Sequence, residues 1–152
     1  MGKLISSILS ESWVRIPLQS DDHEGVIREI INPLKDHDHV QDFETLFDET
    51  WKREQKESTC IGNGIAFPHA RCNAVDELVI AAGVHPGGIS FAGMQSKIYI
   101  IFCIGTPLRM GTEYLAAVGA LARVLKEESV RKQLLEAKHA EEFVKIIAEE
   151  ES

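Results

Sequence analysis

Along the first third of the chain, apolar positions recur at helical spacing. Val26, Ile27, Ile30, Ile31 and Leu34 share one face behind the start signal Asp21-Asp22, and Pro33 closes the segment. A second helix follows, with Val40, Phe43, Leu46, Phe47 and Trp51 as its buried stripe. Asp42, Glu44, Asp48, Glu49 and Glu54 are expected mostly on its wet side. Ahead of both, Trp13 to Leu18 reads as a short strand ended near Pro17. The pattern then changes. Leu78 to Val84 and Ile98 to Ile104 are nearly unbroken apolar runs rich in Ile and Val, as in strands buried on both faces. Between them lies the turn-rich stretch His85 to Gly93, with room for a short edge strand at Ile89 to Phe91. The last third is helical again. Tyr114, Leu115, Val118, Leu121, Ala122 and Leu125 are read as one face of a helix starting at Gly111-Thr112. Val130, Leu134 and Leu135, then Phe143, Ile146 and Ile147, predict two shorter helices. This order implies a central sheet covered by helices. No repeat, low-complexity segment or flexible linker interrupts it.

Composition narrows the class. A chain of 152 residues fits one domain over residues 1–152. At this length folding removes about 68–70% of the extended-chain surface from water, so neither disulfides nor a structural metal is required. A formal net charge of −8 disfavours nucleic acid and anionic membrane surfaces as general partners, and the shortness of the apolar runs argues against direct membrane insertion. Cys60, Cys72 and Cys103 are odd in number, form no C-x-x-C pair and suit a reducing cytoplasm. The start, Met1 to Ser10, lacks the apolar core and cleavage site of a signal peptide. Met1-Gly2-x-x-x-Ser6 fits the myristoylation pattern without a second membrane signal. The longest apolar run, Ile98 to Ile104, is far shorter than the ~20 residues of a membrane span.

Charge is zoned. Gln19 to Glu57 holds twelve acids and five bases, whereas Ser58 to Met110 holds two acids and three bases. The middle zone is thus hospitable to an anion, and the acidic remainder suits a basic carrier protein.

That zone contains the most distinctive local string, Cys60-Ile-Gly-Asn-Gly-Ile-Ala-Phe-Pro-His69-Ala-Arg71. Gly62 and Gly64 allow sharp turns and close approach, Ile65 to Phe67 read as a short buried strand, and Pro68 fixes the direction in which His69 leaves it. A neutral imidazole nitrogen is a nucleophile, and Arg71, Ser58 and Thr59 are near in sequence as partners for phosphoryl oxygens. Phosphorylation on histidine needs such parts; a histidine after proline at a strand end also suits a purely structural role.

The string Thr59 to Arg71, preceded by Arg53-Glu54, resembles the phosphorylation site of the fructose/mannitol-type EIIA domains of the bacterial phosphoenolpyruvate-dependent sugar phosphotransferase system, a family that includes the nitrogen-regulatory EIIA proteins. Gly87 to Phe91, Ile98 to Ile104 and Leu115 to Leu125 are also similar to the family, extending the resemblance to about residues 20–149. It implies an α/β sandwich around a mixed sheet of about five strands, flanked by helices. It further implies a cytoplasmic phosphocarrier with no metal or cofactor of its own. HPr, or its nitrogen-branch equivalent, would phosphorylate His69; an EIIB domain or a regulated protein would be the next partner. Arg53 and Arg71 match positions close to that histidine and are expected to stabilise phosphoryl charge. Many members carry a second histidine in a stretch ending Glu-His-Leu; here it is Glu113-Tyr114-Leu115. Tyr114 offers a neutral hydrogen bond in place of a cation, which predicts slower transfer or a less stable phosphohistidine.

Other chemistries are open to the same residues. Asp36-His37-Asp38-His39 with His23, or Cys60 with His69 and Cys72, could supply metal ligands, although neither spacing matches a common motif. His85 reads as a surface loop residue, and His139 as exposed or capping. Trp13, Trp51 and the phenylalanines are expected in the core rather than in a sugar-stacking platform. Two functions compete: a sugar-transport component feeding an EIIB domain, and a regulatory protein whose phosphorylation state selects its partner.

Overall fold

A computed structural model describes residues 4–91 and 96–151. The Met1-Gly2 start of the myristoylation pattern and the Gly93 end of the turn-rich stretch lie outside the described residues. The chain runs α1 (Leu4–Ile8), β1 (Val14–Arg15), α2 (His23–Ile31), α3 (Phe43–Lys56), β2 (Cys60–Gly62), β3 (Ile65–Ala66), β4 (His69–Arg71), β5 (Val79–Ser90), β6 (Lys97–Thr106), α4 (Gly111–Val124), α5 (Glu128–Glu136) and α6 (Ala140–Glu151).

The two apolar runs form the centre of the sheet. β5 and β6 pair antiparallel from Val79 opposite Gly105 to Ser90 opposite Lys97, with an irregularity between Val84 and Ile89. Ile89 therefore does not begin a separate edge strand; it pairs with Ile98 inside the hairpin. His85-Pro86-Gly87-Gly88 makes the irregularity, because proline cannot donate to the ladder. Gly88 has φ +78°, and a Cβ there would stand 2.8 Å from the Tyr99 ring.

The sheet order is β1-β5-β6-β3-β2, and β4 also pairs with β6. It is a mixed sheet of six strands, against the expected five or so, because one edge of β6 carries two short parallel segments in succession. Ile65 and Ala66 lie opposite Ile100 and Ile101, and His69 to Arg71 lie opposite Ile104 to Thr106. Pro68 separates them, and its carbonyl accepts from Ile104 N at 2.9 Å. At the other edge, only Val14 and Arg15 of the expected Trp13–Leu18 strand are paired as β1. Trp13 belongs to a 3-10 turn, and Leu18 N bonds Val84 O at 2.8 Å beyond Pro17.

Strand alternation sorts the core into two layers. Ile80, Ala82 and Phe102 share one cluster with α1, α4, α5 and α6, whereas Val79, Ala81 and Cys103 share the other with α2 and α3. The helix starts follow from their caps. Asp22 accepts from Gly25 N at 2.7 Å, and Asp42 accepts from Thr45 N at 3.1 Å. Val40 therefore lies before α3, in an isolated bridge with Val75.

The expected face of α4 needs correction. Leu115 is 68% exposed and Ala122 is exposed, while Ala117, Ala120, Leu121 and Val124 are buried. Two residues advance a helix by about 200°, so Leu115 points away from Ala117.

Candidate functional site

The site lies where the last turns of α3, the strand β4 and the first turn of α4 meet. β4 holds His69 in the sheet beside Ile104, directly after Pro68. His69 Nδ1 is 3.1 Å from the Phe67 carbonyl oxygen. That oxygen can only accept, so Nδ1 carries the proton and Nε2 holds the lone pair. Burial lowers the His69 pKa; the Phe67 bond opposes that, the nearby Arg53 charge reinforces it, and Glu54 opposes it again. The net effect favours the neutral, nucleophilic imidazole.

A cleft of about 290 Å³ opens beside this ring, lined by Glu49, Lys52, Arg53 and Lys56 from α3 and by His69 and Arg71 from β4. Arg53 Nη1 donates to Glu57 O at 2.8 Å, and Arg71 Nη2 donates to Leu108 O at 3.0 Å. These anchors orient both guanidinium groups, and neither forms a salt bridge with a carboxylate among the described residues. Gly111 leaves room for one of them, since a Cβ there would stand 3.1 Å from Arg71 Nη2. The Tyr114 ring lies 5.2 Å from the His69 ring, centroid to centroid. Burial raises the Tyr114 pKa against the pull of Arg53 and Arg71, which keeps the phenol neutral. The structure thus brings together all four residues singled out in the sequence: His69, Arg53, Arg71 and Tyr114.

Ser58 and Thr59, considered above as phosphoryl partners, are otherwise engaged. Ser58 Oγ lies 2.9 Å from Cys60 Sγ, and Thr59 Oγ1 donates to Glu54 Oε2 at 2.8 Å. Glu54 itself, expected on the wet side of α3, is only 3% exposed. Its carboxylate lies 3.1 Å from His23 Nε2 and also accepts from Thr59 N. Burial works against its ionisation, but the His23 and Thr59 hydrogen bonds outweigh it and hold the pKa below the ordinary value. Sequence reasoning also passed over Lys52 and Lys56 as site residues. Their signal was present: positions 49, 52, 53 and 56 share one helix face.

The remaining histidines fall elsewhere. His23 stacks on Phe91 at 3.8 Å between centroids, and His39 Nδ1 pairs with Asp76 Oδ1 at 2.8 Å. Among the described residues no three His, Cys, Asp or Glu side chains are grouped so that they could hold a metal ion, which removes both ligand sets considered above. His85 is not a loop residue: it is half-buried in β5, and Nε2 donates to Ser20 O at 3.1 Å. His139 is exposed, and its carbonyl accepts from Phe143 N at the start of α6. Phe47, Phe67, Phe91, Phe102 and Phe143 are buried, whereas Trp13, Phe43 and Trp51 are half-buried against the same two clusters. Among the described residues no helix is long and apolar enough to cross a membrane.

Fold and cleft together define a class, an α/β sandwich with a histidine at the side of a cleft lined by arginines and lysines. The chain belongs to the family described as "Phosphoenolpyruvate-dependent sugar phosphotransferase system, EIIA 2", which it matches over residues 7–150. It is 33% identical over 127 residues to the "PTS system fructose-specific EIIA component" of Haloferax volcanii, covering 83% of this chain and 82% of that protein. It is 29% identical over 144 residues to the "PTS system fructose-specific EIIABC component" of Bacillus subtilis, covering 94% of this chain but only 23% of that larger protein. Among solved structures, the nitrogen regulatory protein IIA-Ntr from Neisseria meningitidis superposes with a TM-score of 0.85 at 25% identity, over 95% of this chain and 99% of that one.

Proposed function

We propose that the chain is a cytoplasmic phosphocarrier that accepts a phosphoryl group on His69 Nε2 from HPr or an HPr-like protein and hands it to an EIIB domain. The observation that carries this reading is the single hydrogen bond from Nδ1 to Phe67 O, which leaves Nε2 as a neutral nucleophile in a cationic cleft. In the accepting step Nε2 forms a bond to phosphorus while the donor's bond to phosphorus breaks. The donor nitrogen keeps the electron pair. In the delivering step a nucleophilic side chain of the EIIB domain forms a bond to phosphorus, the P–N bond breaks, and the electron pair returns to Nε2. Arg53 and Arg71 meet the charge on the phosphoryl oxygens, and Tyr114 contributes a neutral hydrogen-bond donor. Positioning and electrostatics do the work, so the reading calls on no metal or diffusible cofactor.

A second reading, regulation through the phosphorylation state, is favoured by the likeness to IIA-Ntr. Phosphoryl transfer from phosphoenolpyruvate through enzyme I and an HPr-like carrier tests both. Label on His69 that moves to an added EIIB domain supports the carrier in transport; label on His69 that no EIIB accepts supports regulation. No label in the complete mixture overturns both.

A further inference from the structure

Arg53 and Arg71 do not account for all the positive charge around His69. The last turns of α3 also turn Lys52 and Lys56 toward the cleft. Lys52 Nζ lies 3.3 Å from Glu49 Oε2 in an exposed pair, the kind that solvent weakens greatly. The Lys56 ammonium has no hydrogen bond or ion pair among the described residues. The cleft therefore concentrates four cationic side chains against the Glu49 carboxylate, within a chain of net charge −8. Its volume of about 290 Å³ also exceeds what one phosphoryl group fills. That group occupies on the order of two waters' share of liquid, about 60 Å³. Tyr114, whose ring lies 5.2 Å from that of His69, is neutral, and three of the four cations come from α3.

We infer that Lys52 and Lys56 complete a dianion-binding cleft, in which they, with Arg53 and Arg71, hold a phosphate-type dianion against His69. In the unphosphorylated protein the dianion is free inorganic phosphate; after transfer it is the phosphoryl group, a part of the inference that rests on the phosphocarrier reading. Lysine suits this task, because its compact charge rides on a flexible stem that can follow an anion across a cleft larger than the anion. The cleft is open, so the effect is moderate and falls with added salt.

Two measurements test it. Inorganic phosphate is titrated at low salt into the unphosphorylated protein while the His69 imidazole resonances are followed by NMR. The wild type shows a saturable shift, and Lys52→Gln or Lys56→Gln weakens binding about two- to fivefold, as expected for a charge acting through partly screened solvent. The double variant weakens it about tenfold, the differences shrink with salt, and Lys56→Arg restores binding. Gln has nearly the helix propensity of Lys, so unchanged circular dichroism is expected in all four. In the second measurement the phosphohistidine label of the double variant decays several-fold faster than that of the wild type. Absence of a saturable phosphate shift in the wild type, or equal binding and equal decay in the double variant, overturns the inference. If phosphate binding falls in the variants but the wild type takes no label, the cleft stands and the phosphocarrier reading fails. Label that forms on His69 and decays equally, with equal phosphate binding, has the opposite meaning.

Discussion

Two imidazoles near the end of α3 have opposite fates. His23 is buried against Phe91, its Nε2 committed to Glu54 at 3.1 Å. His69 gives Nδ1 to a backbone oxygen and lines a cationic cleft. The same side chain is structural in one place and, on the proposed reading, the phosphoryl acceptor in the other. Partnering decides which: a ring nitrogen bonded to a buried carboxylate has no lone pair to offer an electrophile, whereas one beside cations is open to an anion that brings one.

The sharpest way to break this contrast is to remove each ring in turn. His69→Gln should abolish labelling from a complete phosphotransfer mixture, while His23→Gln should keep it on His69, read by mass spectrometry of acid-labile phosphate. Label that persists in His69→Gln would sink the assignment. Next in size is Glu54→Gln, which turns an acceptor of several hydrogen bonds toward donors and should cost about 1–3 kcal/mol of unfolding free energy. The sign with pH follows from its lowered pKa. A carboxylate depressed in the folded state stabilises above its unfolded value, about 4.3, and loses that contribution as pH falls through the folded value. The stability gap between wild type and Glu54→Gln should therefore narrow in acid, as denaturant melts at several pH values will show.

Smaller is the effect of Tyr114→His. A charge-assisted hydrogen bond is worth about 1.5–3 kcal/mol against roughly 0.5–1.5 for a neutral one, so transfer should speed up several-fold. Stopped-flow transfer rates that do not change would remove Tyr114 from the mechanism. The smallest effect expected is a shift in the pH profile. Because burial lowers the His69 pKa, the nucleophilic form should persist below the ordinary imidazole value of about 6.5. Transfer should decline only at lower pH, and an inflection at or above that value would contradict the burial argument. Folding reads the same group in the same direction: between the two pKa values the unfolded chain binds more protons, so this contribution to stability falls as pH drops.

Much of the fold was legible because caps and apolar runs are local signals. Asp22 caps α2 where the Asp21-Asp22 start signal places its beginning, and Ile98 to Ile104 lie in a buried strand, whereas Asp42, expected on the wet side of the second helix, is the cap that starts it. The misses arose where residue type was weighed above spacing. Glu54 lies seven positions after Phe47, two turns along the same face, yet its charge pointed to solvent; the structure buries it because His23 and Thr59 bond its carboxylate. Leu115 was counted as core for its side chain, although Ala117 and Val124 define the buried line. The pairing of Ile89 with Ile98 depends on a ladder that resumes past His85-Pro86-Gly87-Gly88, and no local pattern announces it. Of the site, His69 and the two arginines were legible through the glycine-rich string and the family resemblance. Lys52 and Lys56 needed the placement of α3 over β4.

The bond from Ile104 N to Pro68 O joins the segment that carries His69 to the central strand β6. Opening that segment means parting β4 from the most enclosed strand of the sheet, an event close in cost to unfolding the whole molecule. The Ile104 amide should accordingly exchange with deuterium only through global opening. On the phosphocarrier reading, the histidine would then stay in place between one phosphoryl group and the next.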